Sequence, residues 1–246
     1  MFKPKTQRIE ELAKRYPERI AELEGVFGQK TNVYIDYANV RPWSEKLGWH
    51  VDPKRLKQLL DSFSTINATK FYVGTLADDV ESEKFVREIA GFGYELKTKP
   101  VKIRRVSINV SSIPSNSPDI LKNFIRPPLL KSLKLEVIEY LNNQLRELNK
   151  QGKTYLEDRK CNFDVEIGRD MLIDDKQGTE CFVLWSGDSD FADPLNQLLA
   201  DGKKAYVFAT ARKVASELNE LVKKGLFIYD IQKIRNFICW KREMKP

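Results

Sequence analysis

One histidine in 246 residues, together with three widely separated cysteines, leaves this chain short of the side chains that many enzymes and metal sites use. His50 follows Trp49 in no nucleophile motif, so neither a serine–histidine nor a cysteine–histidine arrangement is legible. Any mechanism needing two histidines is excluded within one chain. Cys161, Cys181 and Cys239 show no C-x-x-C spacing and no adjacent histidine, which removes a structural zinc site. So few cysteines, with no signal-peptide pattern, predict a reducing, cytoplasmic setting. No apolar run approaches the roughly 18 residues a bilayer span requires, so no membrane partner is expected. Neither G-x-G-x-x-G nor G-x-x-x-x-G-K-[ST] is present, and dinucleotide and P-loop triphosphate binding fall away. If the chain is an enzyme, its chemistry rests on carboxylates.

What is present fits a soluble globular protein, with 41% hydrophobic and 31% charged residues. The 42 Lys+Arg against 35 Asp+Glu give a net charge of +7, which favours a polyanionic partner.

Residues 1–30 read as a helical extension. Ile9, Leu12, Tyr16, Ile20, Leu23 and Phe27 recur at steps of three and four, and Pro17 should kink or split the helix. Such a stripe either docks on the domain core or serves a homodimer. From residue 31 to about 231, strand and helix signals alternate. Strands are expected at Asn32–Asp36, Lys70–Val73, Tyr94–Thr98, Glu180–Trp185, Ala205–Phe208 and Leu226–Tyr229. Helices are expected from Asp52-Pro53 to about Phe63, Glu81 to Ala90, Asp193-Pro194 to Gly202, and Arg212 to Lys224. Alternating elements with apolar strands predict an α/β, Rossmann-like fold with a central parallel sheet flanked by helices. Residues 99–128 lack periodicity and read as an inserted loop, with a lid role or simple solvation as the alternatives. A helix is expected from Leu129 to Leu148, and residues 232–246 read as a basic tail.

In open α/β sheets, sites form beyond the carboxyl ends of strands. Asp36 closes the first strand, in Ile35-Asp36-Tyr37-Ala38-Asn39. After Val183-Leu184-Trp185 comes Ser186-Gly187-Asp188-Ser189-Asp190-Phe191, with two carboxylates in a tight turn. Between them lies Lys160-Cys161-Asn162-Phe163-Asp164, running on to Asp170 and Met171, a segment readable as strand or helix. As a helix it turns Asp170 roughly 120° away from Asp164 and about 9 Å along the axis, which favours Asp164 as the site residue. Each acid alone could be a cap or a loop ligand. Converging, they would repel one another unless a cation compensates. Oxygen ligands without His or Cys select Mg²⁺ or Mn²⁺. Such a site can activate water against a phosphodiester.

These three segments together resemble the NYN domain, a LabA-like branch of the PIN-like nuclease superfamily. The resemblance covers about residues 31–231, with the N-terminal helix and the 99–128 insertion as departures. It implies a Rossmann-like PIN fold, a divalent-metal site and, for many members, endoribonuclease activity. Carried over by motif, Asp36, Asp164, Asp188 and Asp190 would be metal-site carboxylates and Asn39 a supporting polar residue. Asp170 and Ser186 are lesser candidates.

Lys97, Lys99, Lys102, Arg104 and Arg105 form a basic run without an intervening acid, suited to phosphates or to simple solvation. Arg41 is a candidate phosphate clamp. Tyr37, Trp43 and Trp49 are candidates for base stacking or for core packing. The expectation is a metal-dependent ribonuclease with RNA as partner. A non-catalytic RNA-binding or regulatory module, and a nuclease directed at single-stranded DNA, stay open.

Overall fold

The computed structural model describes residues 1–210 and 213–243. The chain forms two compact units, residues 1–100 with 161–246, and Val101–Lys160.

The larger unit is built on six parallel strands in the order β3-β2-β1-β6-β7-β8. These are β1 (Thr31–Asp36), β2 (Ile66–Thr75), β3 (Glu95–Pro100), β6 (Cys181–Trp185), β7 (Lys204–Ala209) and β8 (Phe227–Asp230), while β4 and β5 belong to the smaller unit. Every residue of β1 and β6 is buried, as central strands covered on both faces should be. Chain order reverses between β1 and β6, where Ile35 lies opposite Trp185. That switch opens a crevice at the carboxyl ends of the two strands.

Helices α1 (Gln7–Arg15) and α2 (Pro17–Val26) are split at Tyr16, with Pro17 starting the second. Ile9, Leu12, Ile20, Leu23 and Phe27 are buried in the core, so this stripe docks within its own chain. Helix α3 (Pro53–Leu60) is capped by Asp52, whose carboxylate accepts from the Lys54 and Arg55 amides. Helix α4 (Val80–Gly91) joins β2 to β3. The C-terminal residues to 243 are packed rather than trailing. Phe237, Ile238 and Cys239 are buried, and Asp52 N donates to Ile238 O at 2.7 Å. His50 stacks on Trp240 with centroids 4.2 Å apart and pairs with Glu243, a structural use of the single imidazole.

The smaller unit departs from the expected loop. Strand β4 (Lys102–Ser107) pairs antiparallel with β5 (Tyr155–Lys160), and neither carries an apolar alternation that would have announced it. The expected helix breaks at Leu133 into Pro127–Ser132 and α5 (Leu135–Lys150). Asn142, Arg146 and Asn149 lie along one face of α5 and strap the preceding loop. Asn142 donates to Ser115 O and Ser117 O, Arg146 to Ile113 O and Asn149 to Ile108 O.

Helix α6 (Asp164–Lys176) covers one face of the main sheet, and α7 (Ala192–Ala200) lies beside it, between β6 and β7. Helix α8 (Ser216–Leu221) is shorter than expected, and the start expected at Arg212 lies outside the described residues. Two acids of α6 are buried against polar side chains of β1 and β2. Asp174 accepts from Lys70 Nζ at 2.7 Å, from Asn32 Nδ2 at 2.8 Å and from the Tyr34 hydroxyl. One turn earlier, Asp170 accepts from the Tyr72 hydroxyl at 2.9 Å. A buried ion pair gains little over apolar packing, but removing one partner strands the other. Asp174→Ala should therefore lower the unfolding free energy by about 3–5 kcal/mol. Pairing Asp174→Leu with Lys70→Met should recover part of that loss, as read by urea unfolding.

Candidate active site

Asp36 ends β1 and caps the one-turn helix Tyr37–Val40, accepting from Asn39 N at 3.4 Å. The Asn39 carbonyl oxygen accepts from Gly187 N at 3.2 Å, tying the end of β1 to the turn after β6. Ser186 donates its hydroxyl to Asp36 Oδ2 at 3.4 Å and accepts from Asp188 N at 3.3 Å. Asp188 in turn caps the 3₁₀ turn Ser189–Phe191 by accepting from Asp190 N. The two strand ends are thus stitched through Asn39 and Ser186.

Gly187 has no substitute here. A Cβ on it would lie 1.9 Å from the Lys213 carbonyl oxygen, and Ala215 N donates to Gly187 O at 3.0 Å. The segment after β7 therefore crosses directly over the turn. Sequence reasoning missed this residue, although a glycine set between strand-end Ser186 and Asp188 is the signal for such a crossing.

Asp164 begins α6, its amide donating to Asn162 Oδ1 at 2.8 Å. The preceding Phe163 is buried edge-on to Tyr72 and anchors the helix start to β2. Helix geometry sends Asp170 to Tyr72 and Arg169, whereas Asp164 points toward the strand-end acids. Burial pushes the Asp36 carboxyl up to about 6, with the Asp164 and Asp188 charges adding to it. Asp164 is also raised, first by burial and then by Asp188 and Asp190. All four candidate acids therefore share one electrostatic neighbourhood.

The donor set fits a hard divalent cation. Asp164 Oδ2 is buried without a hydrogen-bond partner, an acceptor left for something else to satisfy. Among the described residues no three His, Cys, Asp or Glu side chains are close enough to hold one ion by themselves. An ion here would be held by one or two carboxylates directly and otherwise through its waters, which is how Mg²⁺ is commonly bound.

The candidate binding residues divide. Lys99 lines the same cleft as Asp164 and Asp190, its ammonium 2.6 Å from Glu166 and 4.6 Å from the Phe163 ring centre. Lys97 lies 3.8 Å from Glu95. Lys102, Arg104 and Arg105 belong to the smaller unit, where Arg104 pairs with Asp158 at 3.0 Å and Arg105 covers Tyr155. The basic run is thus answered by acids on a strand fifty residues away, since Arg104 and Arg105 face Asp158 and Glu157 across the β4–β5 ladder. Arg41 is exposed in the turn following Asp36. Base stacking by Trp43 and Trp49 is overturned, because they are 1% and 2% exposed. Tyr37 packs on Phe71 and Phe85 at the edge of the core.

Asp36 gives a pH-dependent test. Its folded value of about 6 exceeds its ordinary 3.8, so the folded state holds this proton more tightly than the unfolded one. Stability should then fall as pH rises between those values and stay low above them. With EDTA present, Asp36→Asn should stabilise the protein by about 2–3 kcal/mol near pH 8 and give no gain near pH 4, by urea unfolding.

Residues 127–229 match the NYN domain family model. The chain is 24% identical over 207 residues to the "Low amplitude and bright protein LabA" of Synechococcus elongatus, covering 84% of this chain and 86% of that protein. A crystal structure of a protein of unknown function from Vibrio parahaemolyticus shares the fold, with a TM-score of 0.52 at 17% identity. That match covers 85% of this chain and 96% of the other.

Proposed function

These matches support a LabA-like NYN family member, and on that premise we propose that the chain is a divalent-metal-dependent ribonuclease hydrolysing RNA phosphodiester bonds. The NYN match suggests the PIN-like nuclease superfamily. The proposal is supported by the mutual electrostatic influence of Asp36, Asp164, Asp188 and Asp190 near the switch between β1 and β6. There, burial and mutual repulsion raise two of the four carboxyls, and one buried oxygen lacks a partner. Repelling acids in a crevice weaken a fold unless a positive charge joins them.

Mg²⁺ or Mn²⁺ is the class of cofactor the oxygen donors favour, supplying charge neutralisation and Lewis acidity at the scissile phosphate. The chain's own residues bind and orient. One or two of the four carboxylates would hold the cation directly, and the others would reach it through its waters. Asn39 and Ser186 fix Asp36 in place, and the Asp190 amide fixes Asp188. Lys99, at the cleft wall, takes up phosphate charge next to the acids, with Arg41 and Lys97 as further phosphate contacts in this unit. Lys102, Arg104 and Arg105, in the smaller unit, are candidates for phosphate contact in their own right. Hydrolysis joins a water oxygen to phosphorus and breaks the bond to the leaving sugar oxygen, which gains a proton.

A non-catalytic RNA-binding module is the second reading, favoured by one observation: no three ligands converge on a single point among the described residues. Cleavage of RNA and DNA panels with Mg²⁺, Mn²⁺ or EDTA separates the readings, and a preference for DNA would transfer the proposal to single-stranded DNA. Asp188→Asn should cut metal-dependent turnover by at least about 10²-fold, as loss of a charge-stabilising group does, while the far-UV spectrum stays unchanged. Wild-type protein that binds metal in calorimetry but cleaves no nucleic acid would reject the enzymatic reading.

A further inference from the structure

The cleft that holds Asp164 and Asp190 has a volume of about 1030 Å³, far more than a hydrated ion occupies and at the upper end of small-molecule sites. Its other part runs between α6 and α7, with walls of different chemistry. Val165 is 81% exposed and Leu172 37% exposed, an uncovered aliphatic wall on α6. Between them Gly168 is buried, and a Cβ there would sit 3.5 Å from Pro194 Cγ, so the two helices are in contact and form a floor. On α7, Asn196 and Gln197 each have half of the amide occupied. Asn196 accepts from Lys224 at 2.8 Å, and Gln197 donates to Asp201 at 2.9 and 3.1 Å. Among the described residues, the Asn196 amino group and the Gln197 side-chain oxygen have no protein hydrogen-bond partner.

We propose that this outer cleft is a subsite for one unpaired base of the nucleic-acid strand, next to the phosphate held at the carboxylates. The inference rests on the nuclease reading and names how its substrate is gripped. Flat aliphatic surface suits the face of a heterocycle, and one free donor group beside one free acceptor suits the mixed edge of a base. Charge decides against a second phosphate: the lining holds Asp164, Glu166, Asp190 and Asp193 against Lys99 alone. A polyanionic backbone is repelled from the outer cleft, whereas a neutral base is not. The base must be splayed away from its strand to enter, so the site selects unpaired nucleic acid over duplex.

The test is equilibrium binding of a fluorescent single-stranded RNA decamer by anisotropy, with Ca²⁺ in place of Mg²⁺ or Mn²⁺. Abasic substitutions are scanned along the strand. One abasic position should weaken binding about tenfold, the scale of a lost base contact, while the others change it little. Leu172→Glu and Gln197→Ala should each weaken binding of the intact strand to a similar degree and make binding insensitive to that abasic position. Their thermal melting confirms that they fold. Equal affinity for every abasic strand, equal affinity for duplex, unchanged binding by both variants, or no binding at all would overturn the subsite. Cleavage of the intact strand with Mn²⁺ is scored separately: binding with base selectivity but no cleavage would reject the nuclease reading and keep the base seat.

Discussion

The site depends on how α6 is fixed to the sheet. An amphipathic helix held only by aliphatic contacts can settle in neighbouring registers, because apolar burial has no direction. Helix α6 buries Ile167 and Met171, but it also buries Asp170 and Asp174 along the same side. Each acid meets its own partner, Tyr72 for the first, and Lys70, Asn32 and Tyr34 for the second. Hydrogen bonds of this kind have one satisfied geometry and leave buried charge if the helix slides. With Phe163 wedged against Tyr72, they bring the first residue of the helix, Asp164, to the crevice beside Asp36. The ion pair adds less to stability than to placement.

That placement opposes stability locally. Asp36 is 5% exposed, and its carboxyl is pushed up to about 6, chiefly by burial, with the Asp164 and Asp188 charges adding to it. The apolar strands of β1 and β6, buried along their whole length, supply the surplus that tolerates such a cluster. Gly187 reports the same compromise in the backbone. Lys213 lies so close to Gly187 that no side chain fits there, and Ala215 N donates to the Gly187 carbonyl beside Asp188.

Much of this was legible in the sequence, for identifiable reasons. Central parallel strands read as continuous apolar runs, and acids that end such runs must lie at the crevice side of the sheet; Asp36 and the Ser186–Phe191 turn were visible on that basis. The three-by-four spacing of Ile9, Leu12, Ile20 and Leu23 gave a docked helix pair. What escaped was order made from polar contacts between distant residues. Strands β4 and β5 carry charge instead of alternation, and Arg104 finds Asp158 only when they pair. The loop before α5 looked unstructured because Asn142, Arg146 and Asn149 hold it through main-chain carbonyls, with no apolar signal. For Trp43 and Trp49 the sequence left stacking and core packing open, and their burial decides for the core.

Lys99 shows how a cationic side chain can sit beside an acidic centre without disabling it. If its ammonium paired with Asp164 or Asp190, it would supply the missing positive charge and compete with a metal ion for those oxygens. Instead Glu166, two residues along α6 from Asp164, holds Lys99 at 2.6 Å, and the Phe163 ring lies beneath it. The Lys99 hydrogen bond keeps the Glu166 carboxyl below its usual range, so Glu166 stays ionised at neutral pH. Because both partners are about one-third exposed, the pair is solvent-screened and adds little to stability. The Glu166 contact therefore gives Lys99 a partner other than Asp164 and Asp190, so the proposed cation site is not answered by this lysine in the structure.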